Sequence, residues 1–94
     1  MQHERKVRVC ITGRVQGVWY RAWTTEEASE LGLDGWVRNR RDGTVEAVFA
    51  GDASDVETML NLCRSGPPLA RVAAVDKEEH DGAVEPGFSQ RSTS

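Results

Sequence analysis

Between a strand-like segment ending near Thr12 and a helix-like one beginning near Arg21, the chain reads Gly13-Arg14-Val15-Gln16-Gly17-Val18-Trp19-Tyr20-Arg21. This run constrains the fold most, because two glycines let the backbone turn tightly where strand passes into helix, and a helix start leaves unpaired N–H groups. None of its residues is acidic. The amides of Val15, Gln16, Gly17, Val18, Trp19 and Tyr20 can converge as an anion nest with the helix dipole behind them. The plainer reading is a βα turn with a glycine at each bend. Arg21 favours the nest, since a cation at a helix start opposes the dipole and a bound phosphate would compensate it.

The remaining pattern places this run in a larger plan. Lys6 to Thr12 alternates polar and apolar residues, with Val7, Val9 and Ile11 on the core face of a strand. From Arg21 to Gly32 an amphipathic helix is predicted, with Tyr20, Thr24, Ala28 and Leu31 on one stripe, Gly32 as its C-cap and Leu33 packing back on it. Gly35 to Asn39 and Thr44 to Ala50 are strand candidates around Arg40-Arg41-Asp42-Gly43, whose Asp-Gly pair marks a hairpin. Ser54 and Glu57 fit a capping box, with Asp52 as an alternative N-cap, ahead of a stripe of Val56, Met59, Leu60 and Cys63 that Gly66-Pro67-Pro68 ends. Ala70 to Lys77 is a further strand and Gly87 to Arg91 a brief closing one anchored by Phe88, while Gln90 to Ser94 reads as a frayed tail.

The order βαββαβ with a short fifth strand predicts an α/β sandwich of the α+β class, ferredoxin-like, with two helices on one face of an antiparallel sheet. Residues 1–94 have room for one domain only, its core at about 6–91 and its tail at 92–94. There is no internal repeat, no apolar stretch long enough to span a bilayer, and no secretory signal at the start, so a cytoplasmic protein is expected. The net charge of −3 is uneven: residues 1–41 hold eight Lys/Arg against five Asp/Glu, and 42–94 four against ten. That basic excess can focus a small anion, whereas the acidic whole disfavours nucleic acid.

Familiar phosphate chemistries fail on this run. A Walker loop needs a lysine and a hydroxyl after the last glycine, and neither follows Gly17. A thiolate phosphatase needs a cysteine at the base of the cradle, but Cys10 precedes it and Cys63 lies on a helix stripe; both read as structural thiols. His3 and His80 have no partners at metal-ligand spacing and read as solvated, as do Glu26, Glu27, Glu30 and Glu46. No metal or other cofactor is expected, and any nucleophile must be water. Asn39 is able to hold that water through its amide, the plainer alternative being a local backbone bond before the turn. Arg38, Arg40 and Arg41 either solubilise the hairpin or add positive potential, and Trp19 and Trp23 are candidates to wall the cleft; Tyr20 and Trp36 read as packing.

Gly13 to Arg21 resembles the first signature of the acylphosphatase family, and Gly35-Trp-Val-Arg-Asn39-Arg-Arg-Asp-Gly43-Thr-Val45, with Gly51 beyond it, resembles the second. The likeness covers about residues 6–91 and fits the family's ferredoxin-like plan. It implies metal-independent hydrolysis of a small acyl phosphate to a carboxylate and inorganic phosphate by a monomer, with no nucleic-acid or membrane partner. Arg21 carries over as the catalytic arginine on the phosphoryl oxygens, Asn39 as the residue positioning water, and the amides of residues 15–20 as the phosphate loop. Trp19 and Tyr20 depart from the family's commonest pattern, at positions that bear on the leaving group. A non-catalytic module binding a phosphorylated ligand is the alternative.

Overall fold

Alternation sets the layers. In β1 (Arg5–Arg14), Val7, Val9 and Ile11 are fully buried while Arg8 and Cys10 between them are half-buried. Successive side chains of a strand point to opposite faces, so β1 has an apolar face that must be covered. In the computed structural model, which describes residues 3–94, α1 (Tyr20–Glu30) and α2 (Ala53–Ser65) cover it. The other strands are β2 (Asp34–Asn39), β3 (Val45–Gly51), β4 (Arg71–Glu79) and β5 (Phe88–Gln90), and the sheet order is β4-β1-β3-β2-β5.

The expected sandwich is present, with one correction to its sheet. β1 pairs antiparallel with β3 and β4, and β2 antiparallel with β3, but β5 runs parallel to β2. After β4 on one edge the chain crosses to the opposite edge and returns in the direction of β2. Phe88 anchors it there, its ring stacked on Phe49 at 5.5 Å between centroids.

Both helices bury the stripes read from their spacing, save that Leu31, expected on the α1 stripe, lies past the helix as its C-cap and is half-buried. Tyr20, Thr24 and Ala28 are buried in α1, and Leu33 packs back with its N–H donating to the Ala28 carbonyl at 2.9 Å. Val56, Met59, Leu60 and Cys63 are fully buried in α2. The Tyr20 hydroxyl joins the two helices by donating to the Cys63 carbonyl at 2.7 Å. The N-cap of α2 is Asp52, whose carboxylate accepts from the Ser54 N–H; the Ser54–Glu57 box does not form, because Glu57 pairs instead with Arg5 at 3.1 Å. Cys10 and Cys63 are free thiols, and burial pushes the Cys63 thiol up to about 12, away from nucleophilic use.

Two residues expected to be solvated are not. His3 donates from Nε2 to Asp34 at 2.8 Å, and Asp34 also accepts from the Gly87 N–H, so one carboxylate ties the start of the described chain to the approach of β5. Glu46 is only 3% exposed on the sheet face opposite the helices, where Arg38 donates to it at 2.7 Å, Arg40 at 3.1 Å, and Arg8 also donates. The cross-strand register explains this, since Glu46 stands opposite Arg38 on β2 and opposite Cys10 on β1, which places Arg8 diagonally beside it on the same face. Burial of the Glu46 carboxyl opposes its ionisation, but the hydrogen bonds from Arg38, Arg8 and Arg40 more than offset this and hold it below the ordinary carboxylate range. A depressed folded pKa contributes stability that is complete above the unfolded value and is lost as pH falls through the folded one. Glu46→Gln is therefore expected to cost about 2 kcal/mol near neutral pH. The gap to wild type in urea midpoint should close as the pH is lowered through the folded Glu46 pKa; a gap independent of pH would show that the carboxylate's charge is not what stabilises the fold.

Candidate active site

The nine-residue run leaves β1 through a register shift between Thr12 and Gly13. Gly13 has φ +128°, and a Cβ there would sit 2.2 Å from the Arg71 carbonyl oxygen, so only glycine lets β1 and β4 stay paired through the irregularity. Gly17, at φ +74°, meets nothing a Cβ would touch; its requirement is conformational alone. Trp19 is the N-cap of α1 and also lies in the left-handed region, with φ 68° and ψ 20°. For a bulky residue this costs on the order of 1–3 kcal/mol, a kind of strain that clusters at functional sites.

Three observations single out this loop as a candidate cradle. Among the described residues, the backbone N–H groups of Val15 through Trp19 donate to no carbonyl or side chain. No side chain caps α1, and its first turn holds no acidic residue, so the positive end of the helix is uncompensated. Arg21, half-buried in that first turn, makes no salt bridge or side-chain hydrogen bond among the described residues. Unpaired donors, a helix dipole and an unpaired cation thus lie side by side among the described residues.

Arg21 and Asn39 face one cavity of about 410 Å³, lined also by Val15, Gly17, Trp19, Tyr20, Ala22 and Gln90. Asn39 ends β2 on the helix-covered face, in register with Val45, which in turn pairs with Ile11 of β1 two residues before the cradle. Its side-chain amide makes no hydrogen bond among the described residues, so the local backbone bond expected of an asparagine before a turn is not formed. Among the described residues no carboxylate, histidine or thiol lines the cavity, and the Tyr20 hydroxyl is turned away to Cys63. The site therefore offers positioning and positive charge, with no protein nucleophile.

Other candidates lie elsewhere. Arg38 and Arg40 hold Glu46 on the opposite face, so they neither bathe in solvent nor point at the cavity; Arg41 is exposed. Trp23 packs edge-on against Tyr20 at 5.3 Å and is absent from the cavity wall, which leaves Trp19 as the aromatic at the mouth. Trp36 lies on the far face with Arg38 and Arg91 stacked over it at 4.9 and 4.5 Å.

Two positioning features escape sequence reasoning. The Gln16 side-chain amide donates to the carbonyls of Arg40 at 2.7 Å and Thr44 at 2.8 Å, clamping the cradle to the hairpin that follows Asn39. The terminal segment is not frayed: the Arg91 N–H donates to Val37, the Ser94 N–H to Asn39 and the Arg41 N–H to Ser94, extending β5 along β2 past the cavity. Loop-to-hairpin and tail-to-strand contacts have no local sequence signal; Gln16 in particular is indistinguishable from any polar loop residue until the strands are paired.

The acylphosphatase family model matches residues 7–90. This chain belongs to the acylphosphatase family. It is 58% identical over 86 residues to an acylphosphatase of Rhizorhabdus wittichii, covering 92% of this chain and 87% of that one. Its structure is similar to an acylphosphatase from Coxiella burnetii, with a TM-score of 0.90, 35% identity and coverage of 95% and 94% of the two chains. An acylphosphatase from Bacillus subtilis superposes with a TM-score of 0.86 at 31% identity, over 92% of this chain and 97% of the other. The chain is accordingly an enzyme of the hydrolase class, and a non-catalytic phosphate-binding module is not favoured.

Because Gln16 joins the loop of residues 15–19 to the hairpin that follows Asn39, Gln16→Ala is expected to lower kcat roughly 10- to 100-fold by misplacing one against the other. Each carbonyl that Gln16 releases keeps a backbone donor, from Gly43 for Arg40 and from Arg40 for Thr44, so the loss of stability should be only about 1–2 kcal/mol. Steady-state kinetics and urea unfolding of the same variant check both halves, and an unchanged kcat would show the clamp to be dispensable.

Proposed function

We propose that the cavity hydrolyses a small acyl phosphate to a carboxylate and inorganic phosphate by direct attack of water on phosphorus, without a metal or other cofactor. The observation that carries this reading is the convergence of Arg21 and Asn39 on a cavity floored by unpaired amides and lacking any protein nucleophile.

The roles follow from the chemistry each group can do. The N–H groups of residues 15–20 and the Arg21 guanidinium receive the phosphoryl oxygens, and they stabilise charge best where it builds up in the transition state. The Asn39 side chain holds the attacking water through one end of its amide and aims it at phosphorus. As the new P–O bond forms, the bond from phosphorus to the acyl oxygen breaks and its electron pair leaves on the carboxylate. A carboxylate is a stable leaving group, so no general acid is needed. The water's proton passes to a phosphoryl oxygen, which removes the need for a general base, and the products are RCOO⁻ and H₂PO₄⁻.

In this reading the chain works as a single domain over residues 1–94 and as a monomer. Among the described residues no helix is long and apolar enough to cross a membrane, in keeping with a small-molecule enzyme of the cytoplasm.

The test is phosphate release from acetyl phosphate with EDTA present, for wild type and two variants. Wild type should retain its rate. Arg21→Ala should lose at least 100- to 1,000-fold in kcat, the scale of one lost oxyanion donor, and bind inorganic phosphate more weakly. Asn39→Ala should lower kcat while leaving competitive inhibition by phosphate nearly unchanged. Full kcat in Asn39→Ala would remove the water-positioning role, and loss of wild-type activity in EDTA would overturn the metal-free mechanism.

A further inference from the structure

Trp19 is unexplained by anything the fold requires. It is 77% exposed, so it does not fill the core. Tyr20 pairs with Trp23, Phe49 with Phe88, and Trp36 with two arginines, whereas Trp19 has no aromatic or cationic partner among the described residues. Its side chain gives α1 no cap, and its backbone lies at φ 68°, where glycine or asparagine would be the inexpensive choice. A large apolar ring is thus held in solvent, on strained backbone, one residue from the buried Tyr20 and two from Arg21.

Its position gives the ring a use. Trp19 lines the same cavity as Arg21 and Asn39, and its N–H is one of the unpaired cradle donors. A phosphoryl group in that cradle carries its acyl moiety on a single bridging oxygen, so the acyl group must lie at the mouth within reach of the loop's outward side chains. The other apolar lining residues offer little there: Val15 is buried and Ala22 is small. Tyr20 is buried, so among the described lining residues the indole face is the one broad apolar surface that is exposed, and flat groups stack on such a face with modest but selective energy.

Resting on the proposed function of this cavity, we propose that Trp19 is the platform for the substrate's acyl moiety and biases the enzyme toward acyl phosphates with a planar or aromatic acyl group. It is a specificity-determining residue and takes no part in the bond-making steps.

The experiment compares kcat/KM for benzoyl phosphate and acetyl phosphate in wild type, Trp19→Asn and Trp19→Phe. Asparagine tolerates the left-handed backbone, so it removes the ring and keeps the cradle; phenylalanine keeps a ring. Trp19→Asn should lower the ratio of kcat/KM for benzoyl phosphate over acetyl phosphate about tenfold, and Trp19→Phe should restore most of that ratio. Equal losses on both substrates, or none on either, would overturn the platform while leaving the hydrolytic reading intact. A wild type that releases phosphate from neither substrate would instead overturn that reading, and the platform with it.

Discussion

The antiparallel pairing of β1 with β3 is the constraint on which the rest of the molecule depends. It sets Ile11 opposite Val45, and β3 in turn sets Val45 opposite Asn39, so one row across the sheet carries the end of β1 to the end of β2. The cradle springs from β1 two residues beyond that row, and the hairpin turns immediately after it. Gln16 closes the remaining gap by bonding to the hairpin carbonyls. A one-residue slip in this pairing would put Ile11 and Asn39 on opposite faces of the sheet and carry the apolar set of either β1 or β3 out of the core, so hydrophobic burial enforces the site's geometry.

Stability and function are divided between parts of the chain. The core rows of β1 and β3, the α2 stripe and the three arginines around Glu46 are satisfied internally. The loop of residues 15–19 is the opposite case, with unpaired amides, a left-handed tryptophan and an uncapped helix start. Donors that need not break bonds to the protein before meeting an anion are already organised for it, which is what electrostatic stabilisation of a transition state requires. The fold tolerates this because the loop is bounded by a strand and a helix that are both firmly packed.

How much of this was readable from the chain follows the range of each interaction. The α2 stripe, the Asp-Gly hairpin and the glycine-rich run are local patterns, and each appears where its spacing places it. Arg21 and Asn39 were singled out by side-chain chemistry, and the sheet brings them to one cavity. Features that depend on pairing between distant segments were not readable: the parallel docking of β5, the burial of Glu46, the His3–Asp34 bond, and the tail along β2. Glu46 is instructive, since in isolation it is one more strand carboxylate and only the register shows arginines on both sides. The choice of Asp52 over Ser54 as N-cap is local, yet it turned on Glu57 being drawn to Arg5, 52 positions away.

The central claim is that cradle and Asn39 direct water to phosphorus and not to the acyl carbon. Hydrolysis of acetyl phosphate in ¹⁸O-water, followed by mass analysis of both products after a single enzymatic turnover, tests it most directly. Attack at phosphorus puts label in the inorganic phosphate and none in the acetate; label in the acetate would mean attack at the carbonyl and overturn the proposed reaction.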